Sequence, residues 1–425
     1  MSFKEKNWQL YKLKDIIQFN PKESIKKKEI AKKIAMDKLE PFTRKVSGYE
    51  ETEFTSGTKF RNGDTLLARI TPCLENGKTA QVDILDENEI GFGSTEYIVL
   101  REKLGITFND YIYYLSISPE FRNMAIKSMT GSSGRQRVQK DVLEESEIIL
   151  PPLEEQKAIA KILSDLDEKI EVNNKINKNL EEMAQAIFKQ WFVDFEFPNE
   201  EGKPYKSSGG EMVESELGMI PKGWNISELG ELYEVKGGKR LPKGHSLQDT
   251  KTKYPYIRVT DVANGSIDKK SLKYISEETK EKIDKYNINY SDLYISIAGT
   301  VGIVGMINKS LDNASLTENM AKIKVGNIDK YYLYLLLNSK QGQETILSKV
   351  VGSTQPKLPL YAIKSIKILK GDNRINKKFY DYVNSLFMTR ENNLDINEIL
   401  EKLRNTLLPK LMSGEIRVPL ENSEN

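Results

Sequence analysis

LSDLDEKIEVNNKINKNLEEMAQAIF at 163–188 and VNSLFMTRENNLDINEILEKLRNTLL at 383–408 align without a gap at a constant offset of 220. The pairs Leu166/Leu386, Glu171/Glu391, Asn173/Asn393, Ile176/Ile396, Asn177/Asn397, Leu180/Leu400 and Glu181/Glu401 are identical. Val383, Leu403, Leu407 and Leu408 keep apolar partners in Leu163, Met183, Ile187 and Phe188. A segment present twice points to a duplicated architecture, so the rest of the chain is read around it.

Leu163, Leu166, Ile170, Asn173, Ile176, Leu180, Met183 and Ile187 step by three and four, the spacing of one face of a long helix. Such a stripe needs a partner, and two self-complementary copies in one chain can pair with each other. The predicted coiled-coil seam takes Leu166, Ile170, Asn173, Asn177 and Leu180 from the first helix and Leu386, Asn393, Asn397, Leu400 and Leu407 from the second. Asparagine on a seam lowers stability but fixes register and partner, because a buried amide needs a matching amide. A core helix with solvated asparagines is the alternative.

The stretches ahead of the helices repeat as well. Trp8 and Leu13 answer to Trp224 and Leu229, and GDTLLARIT at 63–71 answers to SDLYISIAG at 291–299, an acid at a turn leading into an alternating strand. DYIYYL at 110–115 matches KYYLYLL at 330–336 as a short aromatic helix, and GSSGRQRV at 131–138 matches GSTQPKL at 352–358. The predicted class is α+β: two globular α/β domains separated by two long helices in an antiparallel coiled coil, with a pseudo-twofold internal repeat. The expected boundaries are a first domain at 1–150, its helix at 151–195, a linker at 196–222, a second domain at 223–370, its helix at 371–415 and a tail at 416–425. Residues 196–222 are polar and rich in Gly, Ser and Pro, which predicts an exposed connector. In LPPLEEQ at 150–156, Pro151 and Pro152 end a strand and precede a helix whose first turn carries Glu154 and Glu155.

At 425 residues with 38% apolar and 30% charged content, the chain suits two or three globular domains. No apolar run of about 18 residues could span a bilayer. The N-terminus MSFKEKNWQL lacks the apolar core of a signal peptide, and the single cysteine, Cys73, fits a reducing cytoplasm. A net charge of +2 requires any nucleic-acid reader to gather its cations on one face. Two stretches offer them: GSSGRQRVQK at 131–140 and KGGKRLPK at 236–243. A solvated loop is the alternative for either.

ILPPLEEQKAIAKILSDLDEKI at 149–170, FKQWFVDFEFP at 188–198 and LPKLMSGEIRV at 408–418 resemble conserved regions of type I restriction-modification specificity subunits. GDTLLARITPCLENGKTA at 63–80 and YPYIRVTDV at 254–262 are similar to segments of their target recognition domains. The resemblance departs at 369–377, where LKGDNRINK stands in place of a second LPPLEEQ. It implies a DNA-binding subunit of a prokaryotic defence system, without catalytic chemistry of its own, joined by two DNA methyltransferase subunits and restriction/translocase subunits. S-adenosylmethionine, ATP and Mg2+ would act in that complex, and no cofactor or metal is expected in this chain. Antiparallel pairing of the helices would turn a tandem repeat into a pseudo-twofold object able to face two inverted half-sites. Because the two domains differ, the target would be asymmetric and bipartite. A helix over 154–192 would be roughly 57 Å long and would set the spacing.

Arginine pairs bidentately with guanine, glutamine and asparagine pair with adenine, and lysine and serine more often hold phosphates. The DNA-binding candidates are Arg135, Gln136, Arg137 and Lys140 in the first domain. Lys239, Arg240, Arg258, Ser353, Thr354, Gln355 and Lys357 are those of the second, while Arg69 is as easily structural. The aromatic helix end of Phe188, Trp191, Phe192, Val193 and Phe195 has two readings: packing against a globular domain, or docking a methyltransferase helix. Enzyme readings lack parts. Leu74 follows Pro72-Cys73, Gly77-Lys78-Thr79 has Pro72 where a phosphate loop needs glycine, and Gly299, Gly302 and Gly305 are spaced for turns. His245 is the only histidine, and no NPPY or DPPY occurs. A non-catalytic coiled-coil adaptor is the alternative to DNA reading.

Overall fold

The computed structural model describes residues 8–263 and 265–419. The N-terminal stretch 1–7 and the end of the expected tail, 420–425, lie outside the described residues. Two compact units divide the chain, one holding it up to Asn173 and again from Asp395, the other running Asn174–Leu394. Each unit therefore comprises one globular domain and half of each long helix.

In the first unit, strands Ile17–Phe19, Tyr97–Glu102, Thr65–Ala68 and Thr79–Gln81 lie in that order in an antiparallel sheet. A second sheet orders Glu50–Glu53, Ile30–Ile34, Gly91–Gly93 and Thr58–Phe60, with Ile30–Ile34 and Gly91–Gly93 parallel. Strand Gln9–Lys12 pairs antiparallel with Glu147–Leu150, so the domain's first strand is tied to the one that leads into the helix.

The second unit repeats the plan of both sheets and adds a short hairpin, Val262–Ala263 with Ser266–Ile267. One sheet orders Glu234–Gly237, Met320–Lys324, Asp292–Ser296 and Val304–Met306. The other orders Lys273–Tyr274, Pro255–Ile257, Ala314–Leu316 and Asn287–Ile288, again with one parallel pair, Pro255–Ile257 with Ala314–Leu316. Asn225–Glu228 pairs with Lys367–Lys370 ahead of the second helix. Asp64 and Asp292 close the turns that launch the central strands, accepting the Arg61 and Asn289 N–H groups at 2.7 and 2.9 Å. Both central strands are buried on both faces rather than alternating, since Thr65–Ala68 and Asp292–Ser296 contain no exposed residue.

The expected aromatic helices are Asn109–Ile117 and Asn327–Asn338. The long helices are Leu153–Phe192 and Asn373–Met412, 40 residues each. The first begins directly after Pro151-Pro152; the second begins without prolines, where Asp372 accepts the Arg374 N–H at 2.8 Å. That carboxylate satisfies a free donor of the first turn, so LKGDNRINK starts a helix by different chemistry at the same place.

In the first unit Asn173 donates to Asn397 at 2.8 Å, and Arg404 is paired with buried Asp167. In the second, Asn393 donates to Asn177 at 2.9 Å, and Arg390 lies 3.6 Å from Glu181. Within each unit one partner's number rises as the other's falls, so the paired segments are antiparallel. The expected seam needs one correction. Ile176 and Met183, read as seam residues, are 39% and 53% exposed, whereas Asp167, Asn177 and Ala184 are buried. Apolarity misplaced the stripe because polar partners on the opposite helix, Arg404 and Asn393, make polar positions the inward ones.

The linker is exposed along most of its length, but it is not without structure. It forms a hairpin, Met212–Ser215 with Gly218–Pro221, and Phe197 and Ile220 join the second unit's core. Phe197 stacks on Trp224 with centroids 5.1 Å apart, which anchors a composition otherwise typical of a loop.

Candidate nucleic-acid interface

Residues 131–136 of the first unit form a loop held at both ends. Thr130 and Arg137 exchange backbone hydrogen bonds of 3.0 and 2.9 Å, and Val138 N–H donates to Arg69 O at 2.9 Å. Buried Val138 pins the return, so Ser132, Ser133, Gly134 and Arg135 are left exposed and Gln136 half-buried. The second unit builds the same ladder. Val351 and Lys357 exchange hydrogen bonds of 2.8 and 2.9 Å, and Leu358 N–H donates to Ile297 O at 2.9 Å. Ser353, Thr354, Gln355 and Lys357 are exposed there. The duplicated motifs thus occupy one topological place, on different sequences.

The remaining candidates differ in their commitments. Arg137 is bound to Glu96 through three hydrogen bonds of 2.7–3.0 Å. Lys140 pairs with Glu144 at 2.7 Å on its own short helix. Arg240 donates to Glu318 at 2.7 Å from an exposed position, and Lys239 lies 5.5 Å from the Tyr286 ring centroid. Arg258 departs from expectation: its Nε and Nη2 bind Asp261 at 3.1 and 2.6 Å, and Nη2 also meets Ser271 O at 2.9 Å. The guanidinium closes its own turn, which removes most of its capacity to read a base. Arg69 sits beside the first loop, its Nε 3.8 Å from Glu96 Oε2.

Glu96 and Glu318 were not singled out in the sequence, yet each holds a candidate arginine. The available signal was a Thr-Glu dipeptide at 95–96 and at 317–318, although Glu96 adjoins strand Tyr97–Glu102 and Glu318 stands one residue further from strand Met320–Lys324. Arg137 holds the Glu96 carboxyl below the usual carboxylate range, and in Glu318, despite some burial, the hydrogen bond from Arg240 keeps the same direction.

The aromatic helix end belongs to the core. Phe188, Trp191 and Phe192 are buried against Tyr332, Phe379 and Trp224, and Phe195 packs partly against the same cluster. These four residues therefore present no docking face, because burying their rings in their own unit removes more apolar surface than an open helix end could. Gly299 and Gly302 have positive φ as turn residues, but Gly305 lies in strand Val304–Met306, where a Cβ would strike Tyr294. His245 contacts Thr279 Oγ at 2.6 Å and Lys282 Nζ at 3.0 Å. Among the described residues no group of three or more His, Cys, Asp or Glu could hold a metal ion. No described helix is long and apolar enough to cross a membrane.

Two like α+β domains, each carrying a polar loop on a conserved ladder and each packed on paired helices, define a duplicated recognition scaffold. The chain belongs to the type I restriction-modification DNA specificity subunit family: the type I restriction modification DNA specificity domain matches twice, at residues 5–182 and 221–402. The MjaIX specificity subunit of Methanocaldococcus jannaschii is 30% identical over 314 residues, 73% of this chain and 69% of that protein. The HindI specificity subunit of Haemophilus influenzae is 24% identical over 426 residues, covering 87% and 90%. A solved type I S subunit from M. genitalium shares the fold, with a TM-score of 0.53 at 15% identity across 97% of this chain and 98% of that one.

Proposed function

We propose that this chain is the non-catalytic DNA-reading subunit of a cytoplasmic type I complex and that each domain reads one half of an asymmetric, bipartite target. Two adenine-N6 methyltransferase subunits would assemble on the helices, and restriction/translocase subunits would join them. S-adenosylmethionine, ATP and Mg2+ belong to those partners in this reading. The observation that carries it is the repetition of strand order and senses in the four-stranded sheets of the two units, with the loops 131–136 and 352–356 at one topological place but carrying different side chains.

The recognition domains are assigned to 1–150 and 223–370, the helices to 151–195 and 371–415, the connector to 196–222 and the tail to 416–425. In this reading the exposed candidates Arg135, Ser353, Thr354, Gln355 and Lys357 and the half-buried Gln136 face DNA. For docking a methyltransferase helix, the buried aromatic end gives way to apolar positions left exposed on the helices. Ile176 and Met183 supply them on the first helix, and Ile396, Ile399 and Leu403 on the second. Helix faces of this kind are completed by further helices in bundles. Exchanging residues 1–150 for another family member's domain should change one half of the methylated target and leave the other intact. An exchange that alters both halves or neither contradicts the one-domain, one-half assignment.

A further inference from the structure

Three side chains from separate segments meet beside the first unit's loop. Arg69 follows strand Thr65–Ala68, Glu96 precedes strand Tyr97–Glu102, and Arg137 ends the loop. Arg137 Nε donates to both carboxylate oxygens of Glu96 at 3.0 Å, and Nη2 donates to Oε1 at 2.7 Å. The carboxylate thus occupies the Nε/Nη2 edge of a planar, five-donor group. Its other edge, Nη1 with the second Nη2 hydrogen, has no hydrogen bond among the described residues, and the side chain is 40% exposed.

We propose that Arg137 is a guanine-reading residue of the first domain and that Glu96 is the residue that positions it. This deepens, and rests on, the DNA-reading function proposed above. Two free, parallel donors match the O6 and N7 acceptors of guanine in the major groove. Glu96 offsets the charge of Arg137 and, although Arg69 leaves the three-residue cluster one positive charge, the two parallel donors that remain match a base edge; a phosphate contact is the rival role that the salt slope distinguishes. Glu96 also fixes the rotamer, so less side-chain freedom is lost when the base is met. Arg69 approaches the same carboxylate at 3.8 Å without hydrogen-bonding it.

The second unit provides the contrast. Arg69 N–H donates to Glu96 O and, at the matching ladder position, Ile297 N–H donates to Asn319 O. Asn319 therefore replaces Glu96, while Lys357 replaces Arg137 across the loop. An exposed ammonium without a carboxylate partner is a point charge suited to phosphate. One repeat thus reads a base where the other holds the backbone.

The test reconstitutes the full chain with its methyltransferase subunits and measures methylation and binding on DNA whose half-sites are randomised. Arg137→Ala and Arg137→Lys should each lose, on the order of ten- to a hundredfold, the preference for guanine at one position of one half-site. The salt slope of binding should stay unchanged in Arg137→Lys, which keeps the charge, whereas Arg137→Ala also leaves Glu96 unpaired and is read by base preference alone. Glu96→Gln keeps a hydrogen-bond acceptor but frees the arginine's charge, so discrimination at that same position should fall while the slope steepens by about one. Lys357→Ala should flatten the slope by about one and leave base preferences alone. A wild-type complex with a two-part motif whose guanine preference survives both Arg137 substitutions overturns the proposal and leaves the general function standing. Flattening of the slope by Arg137→Lys with unchanged preferences makes Arg137 a phosphate contact and overturns it too. A wild-type complex with no base preference overturns the underlying DNA-reading function.

Discussion

Single residues show how the repeat has been specialised. Asp110 and Lys330 stand at the same repeat position, yet Asp110 pairs with Arg44 at 3.0 Å while Lys330 is buried over the Tyr290 ring, 3.7 Å from its centroid. Burial pushes the Lys330 ammonium down to about 8; Glu391 and Asp292 pull it up, and Lys309 adds to the lowering. Its folded pKa lies below the unfolded value of about 10.4, so the folded state holds fewer protons between the two. The penalty for keeping it charged is full below about pH 8 and fades as pH rises toward 10.4. Lys330→Met removes that penalty but also the Nζ donor to Tyr290 O at 2.6 Å, so its stability relative to the wild type should fall by about 1–2 kcal/mol between pH 7 and pH 9.5, whatever the sign of the gap at pH 7. Denaturant midpoints at the two pH values check this, and a constant gap contradicts it. None of this was legible in the sequence, where KYYLYLL carries only an aromatic helix pattern. Glu96 escaped notice for the same reason: a glutamate's partner is set by tertiary contact.

At the scale of elements, periodicity located both long helices and the asparagine pairs, because identical residues at a fixed offset survive any error in the seam. It did not locate the polar interior. Arg404 and Asp167 are both buried, and Tyr114 donates to the same carboxylate at 2.7 Å, a network no apolar pattern reveals. Removing one partner of a buried pair leaves an uncompensated charge, so Arg404→Ala should cost about 3–5 kcal/mol. The double variant Arg404→Met with Asp167→Leu should recover most of that loss, apart from the now unpaired Tyr114 hydroxyl. Chemical denaturation measures both, and equal losses would show that packing rather than charge governs the site. The second helix start illustrates the opposite case. Its sequence departs from LPPLEEQ, yet Asp372 starts a helix of the same length, and Asn376 occupies the buried place of Gln156.

For the whole molecule, the duplication is what makes the fold legible. Matching short motifs in order was enough to expect two domains and two helices, and the strand orders repeat accordingly. The connector's polar composition matches its exposure but hides a few anchoring residues, Phe197 and Ile220 among them. Recognition is the least legible property, since the backbone ladder that holds the loops 131–136 and 352–356 does not dictate which exposed side chains they carry. The central claim is that two unlike copies of one domain make an asymmetric two-part reader. Genome-wide mapping of methylated adenines in cells carrying this chain with its cognate methyltransferase tests it most directly. The expected result is one asymmetric two-part motif with a modified adenine in each part; a single-part or symmetric motif, or an unmodified genome, would contradict it.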